Sequence, residues 1–184
     1  MMPEGCPELL ERSKYHLEQC AVLGAMPNIG FIGAGTATIR TACPAWRTAS
    51  PRIANWRRLG VDVLLEPICR YEIDSIHTTD QAIDLCERAG KPANLGLLLD
   101  LFHMNIEEAS VCGAICRAGS LVRHVHFVDN TRAVPGMGCM ALPDVVACLK
   151  AVGYEGFLGI EAIPGSDPEG EARSGLAFTR ALGV

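Results

Sequence analysis

The sequence predicts an α/β protein with a parallel β-sheet, and two observations support this fold class. Five short apolar segments alternate with longer segments in which apolar residues recur at helical spacing. Strands and helices that alternate in this way form a parallel sheet with right-handed crossovers. The predicted strands comprise residues 28–35, 61–66, 95–100, 122–128 and 157–162.

The connecting segments carry signals of helix starts and of buried helix faces. Thr79 or Asp80 is expected near the cap of the third helix, before an apolar stripe. Asn105 is the expected N-cap of the fourth helix, with Glu107 and Glu108 in the first turn, where acidic residues are favourable. The predicted helices comprise residues 7–23, 44–58, 78–89, 106–118, 143–151 and 168–182.

Length and composition indicate a single soluble domain over residues 1–184. Hydrophobic residues make up 49% of the chain and charged residues 20%, which excludes a disordered protein. The formal net charge is −5 and no basic run is present, so we expect no nucleic-acid partner. The nine cysteines are scattered, as in proteins of a reducing cytoplasm. No segment has the apolar length of a membrane span, and we expect a cytoplasmic protein without membrane contact.

Four successive predicted strands end in a residue that can bind a metal ion. These residues are Glu66, Asp100, His126 and Glu161, which are separated by 34, 26 and 35 positions. Each separation is about one strand-helix unit, so the four side chains are expected at the carboxyl edge of the sheet, where such folds place their active sites. A single acid there is more often a helix cap or a surface charge. Three carboxylates and one imidazole together favour a divalent ion such as manganese, magnesium or cobalt.

Residues 123–138 contain further candidate site residues, in the fourth predicted strand and in the loop that follows it. The run from Val122 to Val128 is nearly continuous in apolar residues and predicts a parallel strand buried on both faces. On that strand His124 and His126 point to the same side. Arg132 lies in the following loop, which turns at glycines. The alternative is a histidine that satisfies a core hydrogen bond and an arginine that is a solvated loop charge. The glycines at 30, 33 and 35 lack the spacing of a dinucleotide-binding loop.

Four segments carry a family resemblance: LLEPICRYE, LLLDLFHMNIEE, HVHFVDNTRAVPGMG and GYEGFLGIEAIP. Together they resemble the xylose isomerase-like TIM barrels, in particular the ketose 3-epimerases that act on D-tagatose and D-psicose, from about residue 60 onward. The resemblance implies a divalent metal, manganese most often, and a sugar substrate. The implied metal ligands are Glu66, Asp100, His126 and Glu161; the implied substrate-binding residues are Glu72, His103 and Arg132.

The resemblance also implies a mechanism, in which Glu66 and Glu161 are the catalytic residues. One carboxylate removes the proton from the carbon next to the ketose carbonyl, and the other returns it after an enediolate has formed. His124 has two alternative roles. It either supports a metal ligand or is a buried histidine of the core, and the second role is favoured. Because no phosphate-binding loop is evident, we expect a sugar without phosphate.

The chain departs from the family pattern in its number of strands. The family barrel has eight strands, whereas the sequence predicts five, which would correspond to strands 4–8. We therefore expect the C-terminal portion of a (β/α)8 barrel, from a truncated gene product or an incomplete gene model. An open piece of a barrel exposes sheet edges, so we also expect a homo-oligomer or a poorly soluble chain.

Three other functions fit the sequence less well. The same site would serve a hydroxypyruvate isomerase or an aldose/ketose isomerase, which moves the proton between C1 and C2. A barrel fragment without activity would keep the metal ligands although the fold does not close. Phosphodiester cleavage of the endonuclease IV type is disfavoured, because that branch uses a histidine-rich zinc cluster and the chain has five histidines and no basic surface.

Overall fold

A computed structural model describes residues 7–30 and 60–184, with side chains from residue 13 onward. Five parallel strands form one sheet in chain order, and every adjacent pair runs parallel. The predicted sheet is therefore confirmed within these residues. The strands are β1 (Asn28–Ile29), β2 (Val63–Leu65), β3 (Leu95–Asp100), β4 (Val122–His126) and β5 (Leu158–Gly159).

Six α-helices lie in the described ranges 7–30 and 60–184: α1 (Pro7–Leu23), α2 (Thr79–Arg88), α3 (Leu101–Glu107), α4 (Val111–Ala118), α5 (Leu142–Ala151) and α6 (Pro168–Ala181). None of the helices in the described ranges is long and apolar enough to cross a membrane. The N-cap of α2 is Thr78, one residue before the expected cap, and it forms a capping box with Gln81. The predicted helix 44–58 and the predicted strand residues 31–35 lie outside the described residues.

The helix predicted over residues 106–118 is wrong, because two helices occupy this part of the chain. Helix α3 starts directly after β3 with Asp100 as its N-cap, and α4 starts after Ser110. Glu108 between them has extended backbone angles, which end α3. Asn105 is thus inside a helix and does not cap one. Glu107 does not begin a helix either: it is the last residue of α3.

The core lies between the sheet and its helices. All three residues of β2 and all six residues of β3 are buried, so these two strands are covered on both faces. The same prediction for β4 is wrong, because β4 has an exposed arginine, Arg123, and two half-buried histidines. Leu97, Leu99 and Ile115 are fully buried, and each such side chain contributes about 1.5–3 kcal/mol to folding. The seven cysteines among the described residues are all free.

A register shift between β3 and β4 decides which side chains face the site. Leu97 pairs with Val122, but Leu98 pairs with His124, so Arg123 is an extra residue on β4. Without it, the pairing would slip by one residue and every later side chain of β4 would face the other side of the sheet. The shift places His126 opposite Asp100.

Gly96 is required at this shift. A Cβ atom at Gly96 would overlap with Cγ of Arg123 and would lie 3.0 Å from the carbonyl oxygen of Leu121. Because Gly96 has no side chain, there is room for the side chain of Arg123, the extra residue of β4, to lie over β3.

We predict that Gly96→Ala destabilises the chain by about 1–3 kcal/mol, because the added methyl group overfills this crossing. Urea denaturation followed by circular dichroism measures the change. Arg123→Gly in the Gly96→Ala background removes the overlapping Cγ atom and should recover part of the loss. An unchanged unfolding midpoint in Gly96→Ala would contradict this role for Gly96.

Candidate metal centre

The sheet register brings the four strand-end residues to one face. Asp100 pairs with His126, and His126 pairs with Gly159, so these three positions lie side by side. Glu161 is two residues beyond Gly159 and has the same orientation along the chain, because side chains alternate along extended backbone. Glu66 has the orientation of Leu64, which pairs with Gly96, four residues before Asp100. All four predicted ligands thus belong to the same side of the sheet.

The side chains of these four residues converge. Nδ1 of His126 lies 3.2 Å from Oδ2 of Asp100, 3.1 Å from Oε2 of Glu161 and 3.8 Å from Oε1 of Glu66. One ligand atom from each of the four lies within 4.8 Å of the others. A single ion can therefore be reached by all four after small side-chain movements.

The two carboxylate oxygens of Asp100 have different roles: one caps α3 and the other faces the carboxylate cluster. Oδ1 accepts hydrogen bonds from the backbone N–H groups of Phe102 (2.8 Å) and His103 (3.3 Å), which caps α3. Oδ2 faces His126. Burial acts to raise the pKa of Asp100, but the hydrogen bond to His126 and the charge of His103 outweigh it, so the pKa is lowered. This carboxylate is held ionised with a fixed orientation.

Glu66 is in a different environment. Only 6% of the residue is exposed. The side-chain amide of Asn28, on β1, donates a hydrogen bond to Oε2 of Glu66. Burial raises the pKa of Glu66 to about 7, against the opposing effect of Asn28 and with a further contribution from the charge of Asp100. Asn28 was not identified from the sequence, since a strand asparagine far along the chain gives no local signal.

The two histidines of β4 have opposite protonation tendencies. Burial acts to lower the pKa of His126, but the neighbouring Asp100, Glu161 and Glu66 carboxylates together raise it. Burial lowers the pKa of His124, and the charge of His126 lowers it further. The two rings meet edge to face with centroids 5.4 Å apart. We expected His124 to be a buried core residue. It is instead half-buried and packs against His126.

Arg132 is the cation of this cluster. Its Nη2 donates to Oε2 of Glu161 at 2.7 Å, and its Nη1 donates to Oε1 of Glu72 at 3.3 Å. The guanidinium lies over the ring of Phe102, 4.9 Å from the centroid. Arg132 adopts a left-handed backbone conformation with φ of 60°. The predicted substrate residues Arg132 and Glu72 are therefore brought together, and both adjoin the carboxylate cluster.

The left-handed turn at Arg132 is fixed by a buried aspartate. Asp129 is 1% exposed, and its carboxylate accepts backbone hydrogen bonds from Asn130 (2.9 Å), Gly136 (3.1 Å) and Met140 (3.1 Å). A Cβ atom at Gly138 would overlap with the side chain of Asp129. The sequence marks Asp129 only as the start of a loop, although an aspartate before a Gly-x-Gly turn is the available signal for this arrangement.

His103, the third predicted substrate residue, lies near Arg132 and Glu72. His103 is in the first turn of α3 and is 2% exposed. Burial lowers the pKa of His103, which the charges of Asp100 and Glu72 offset only in part. The loop that carries Glu72 is tied to α3 by Arg70, which donates to both carboxylate oxygens of Glu107. The predicted position of Glu107 in the first turn of a helix is wrong, because Glu107 is the last residue of α3 and anchors this loop.

The donor set fits a divalent cation. Three carboxylates converge on one imidazole, and Arg132 supplies the neighbouring fixed positive charge. Oxygen donors with a single imidazole are typical ligands of manganese, magnesium and cobalt, and the absence of thiolate distinguishes them from most structural zinc sites. Binding of the ion by these residues stays a prediction.

Comparison with known proteins identifies the family. A family model described as a xylose isomerase-like TIM barrel matches residues 8–182, nearly the whole chain. The chain belongs to this family. The five parallel strands are accordingly those of a partial TIM barrel, which confirms the predicted fold class and the resemblance.

Individual members of the xylose isomerase-like family resemble this chain over different lengths. A ketose 3-epimerase of Arthrobacter globiformis is 31% identical over 165 residues, which cover 86% of this chain and 56% of that protein. A D-psicose 3-epimerase of Ruminiclostridium cellulolyticum is 38% identical over 102 residues, 55% of this chain and 34% of that protein. The chain thus spans about half or less of these curated relatives.

The solved structure of 3-keto-D-glucoside 4-epimerase from E. coli superposes with a TM-score of 0.82 at 25% sequence identity. The superposition covers 94% of this chain and 70% of that one. The arrangement of strands and helices described above is therefore the arrangement of this xylose isomerase-like relative over almost the whole chain.

The raised pKa of Glu66 predicts how the metal-free chain responds to pH. Between the ordinary carboxyl pKa of 4.5 and about 7, Glu66 is ionised when unfolded and protonated when folded. The unfolded state binds fewer protons there, so the free energy of unfolding falls as pH rises, by up to about 3 kcal/mol, and levels off above pH 7. Glu66→Gln should remove this loss and gain stability relative to the parent at pH 8.

Urea denaturation with a chelator present, at pH 5 and pH 8, measures this difference. Glu87→Gln, at an exposed glutamate, is the control and should follow the parent at both pH values. A difference between Glu66→Gln and the parent that does not depend on pH would contradict the raised pKa.

Proposed function

We propose that this chain is part of a metal-dependent ketose epimerase that acts on a free sugar, of the ketose 3-epimerase type. The observation that supports it best is the convergence of Glu66, Asp100, His126 and Glu161 at the carboxyl edge of the sheet, with Arg132 beside them. The names of the relatives from Arthrobacter globiformis and Ruminiclostridium cellulolyticum point to the same class of reaction. A cytoplasmic location and association between copies of the chain stay predictions.

In this proposal Glu66, Asp100, His126 and Glu161 hold the metal ion, with manganese as the first choice and magnesium or cobalt as alternatives. When bound, the ion supplies Lewis-acid stabilisation for the negative charge that develops on the sugar oxygens. The hydrogen bonds that hold two of these side chains in place support this assignment. Asp100 is fixed by the start of α3, and Glu66 by Asn28.

The proton is transferred by the two glutamates in this proposal. One carboxylate takes the proton from the carbon next to the ketose carbonyl, and the electrons of that C–H bond form the double bond of an enediolate. The other glutamate, which must carry a proton before the reaction, then donates that proton to the opposite face of the same carbon and is left as a carboxylate, so the carbon is inverted and the two glutamates have exchanged protonation states. Glu66 and Glu161 have oxygen atoms within 4.8 Å of one another, so both can reach one sugar carbon.

Three further residues are proposed to hold the sugar. His103 is buried beside the cluster, and burial favours its neutral form, in which one ring nitrogen can donate to a sugar oxygen while the other accepts. Arg132 and Glu72 contact each other, and Arg132 also contacts Glu161 of the cluster, so we propose that both bind hydroxyl groups of the sugar. The stacking of Arg132 on Phe102 limits the movement of its guanidinium. Such positioning brings the reacting atoms into line.

A second candidate differs only in the carbon that is inverted. The E. coli relative of known structure is named as a 4-epimerase, and its fold matches over almost the whole chain. Inversion at C4 of a 3-keto sugar uses the same chemistry, since that carbon also adjoins a carbonyl group. The isomerase alternative, with proton transfer between C1 and C2, differs from both in the position of the exchanged hydrogen.

Manganese binding is the first test of the site. We expect one Mn²⁺ per chain in isothermal titration calorimetry. Asp100→Asn should weaken binding by more than about 100-fold, the upper end of the loss that follows removal of a supporting partner of a ligand. Asparagine keeps the ability to cap α3, so the fold is retained. The control is Asp84→Asn, at a half-exposed aspartate in α2. Equal affinity in parent and Asp100→Asn would contradict the assignment.

Glu161→Gln is the test of proton transfer. Because glutamine cannot take or return a proton, we expect turnover of ketohexoses to fall by at least about 100-fold while manganese-loaded protein stays folded. NMR in D2O locates the carbon that acquires deuterium and so separates inversion at C3 or C4 from isomerisation at C1 and C2. The exposed Glu155→Gln serves as control. Normal turnover by Glu161→Gln, or product without solvent deuterium, would refute the mechanism.

A further inference from the structure

A second group of potential metal ligands lies beside the carboxylate cluster. Cys69, in the loop after β2, offers a thiol, and Glu72 and His103 offer a carboxylate and an imidazole. One ligand atom from each of the three lies within 4.8 Å of the others. The ligands of a tetrahedral zinc ion are roughly 3.5 Å apart, as follows from zinc–ligand bonds of 2.0–2.3 Å. Small side-chain rotations therefore suffice to close this group around one ion.

The histidine of this group has an unused buried nitrogen. His103 is 2% exposed, and its Nδ1 atom is buried without a hydrogen-bond partner among the described residues. Buried polar atoms in native proteins are nearly always paired with protein groups, water or an ion. Cys69 is buried as well, with 1% exposure, so its thiol also faces the protein and not bulk solvent. The side chain of Glu72 is about one-third exposed and leaves the group open on one side.

The donors of the two groups favour different ions. The carboxylate cluster contains oxygen atoms and one imidazole, whereas the second group contains sulfur, nitrogen and oxygen in equal number. Thiolate with imidazole selects zinc over manganese or magnesium, and three protein ligands leave the fourth zinc position for water or a substrate atom. Two groups with different donor atoms thus lie next to Arg132, which contacts Glu72 from one group and Glu161 from the other.

We propose that Cys69, Glu72 and His103 form a second, zinc-selective site whose occupation blocks sugar binding. On binding, the S–H bond of Cys69 breaks, its electron pair forms the bond to zinc, and the proton is released to solvent. Glu72 leaves Nη1 of Arg132 to bind the ion. Zinc thereby occupies two of the groups that hold the sugar in the proposed function, and the inhibitory effect, unlike zinc binding itself, rests on that proposal.

Without metal the thiol stays protonated, which has a measurable consequence. Burial raises the pKa of Cys69, and the charges of Glu72 and Glu107 contribute in the same direction. Zinc binding must therefore release a proton per ion over the physiological pH range, and zinc affinity must increase with pH.

Cobalt is the probe for this site, because a thiolate bound to Co²⁺ gives an intense charge-transfer band in the near ultraviolet, which oxygen and nitrogen ligands do not give. We expect this band on titration of the full chain with Co²⁺, and its loss when stoichiometric Zn²⁺ is added. Cys69→Ser should abolish the band, with Cys69→Ala as the replacement if serine disturbs the fold. Cys139→Ser, at an exposed thiol, should retain it.

Asp100→Asn separates the two sites, because it removes a ligand of the carboxylate cluster and none of the second group. The band should persist in this variant. Absence of the band in the parent chain, or its persistence in Cys69→Ser and Cys69→Ala, would overturn the proposal, since another thiol would then be the ligand.

Zinc inhibition of ketose turnover completes the test. In manganese-loaded protein we expect Zn²⁺ to inhibit competitively with the sugar, and Cys69→Ser to need at least tenfold more Zn²⁺ for the same fractional inhibition. Turnover without a cobalt band would refute the zinc site and leave the epimerase proposal intact. A cobalt band without turnover on any ketose would support the zinc site and refute the epimerase proposal.

Discussion

Repulsion between like charges is the constraint on which this site depends. Three carboxylates lie around one imidazole in a part of the chain that is largely buried, and each must be kept apart from, or balanced against, the others. The charge of each carboxylate is balanced in a different way. The pKa of Asp100 is lowered chiefly by its hydrogen bond to His126, whereas Glu66 has a pKa of about 7 because burial prevails. The arginine of the following loop lies against Glu161. A divalent cation would remove the remaining conflict.

This arrangement joins stability and the site in the same residues. Asp100 is the last residue of β3, the N-cap of α3 and a member of the carboxylate cluster. The helix that it caps carries Phe102, on which Arg132 stacks, and His103. A change at Asp100 would therefore also affect Phe102 and His103. A change at Asp129 would affect the loop that carries Arg132. The site is built from backbone hydrogen bonds as much as from its ligands.

Those features of the site that depend on local sequence patterns could be predicted from the sequence. Strand-end positions and the alternation of side chains identified Glu66, Asp100, His126 and Glu161 as neighbours, because both depend on chain spacing alone. The register shift at Arg123 could not be predicted, since it depends on contact with Gly96 in another strand. The boundary between α3 and α4 was missed because the cap is a strand residue. Asn28 gave no signal, as its partner is 38 residues away.

The two glutamates of the cluster differ in a way that bears on the proposed reaction. Glu66 is buried and held by Asn28, so its position is fixed and its charge is costly without a cation. The side chain of Glu161 is 49% exposed and pairs with Arg132, so it is accessible from solvent whereas Glu66 is not. A reaction that inverts a carbon needs two proton-transfer groups on opposite faces, and it gains if one of them is rigid. The unequal burial of these two carboxylates is therefore what such a division of roles requires.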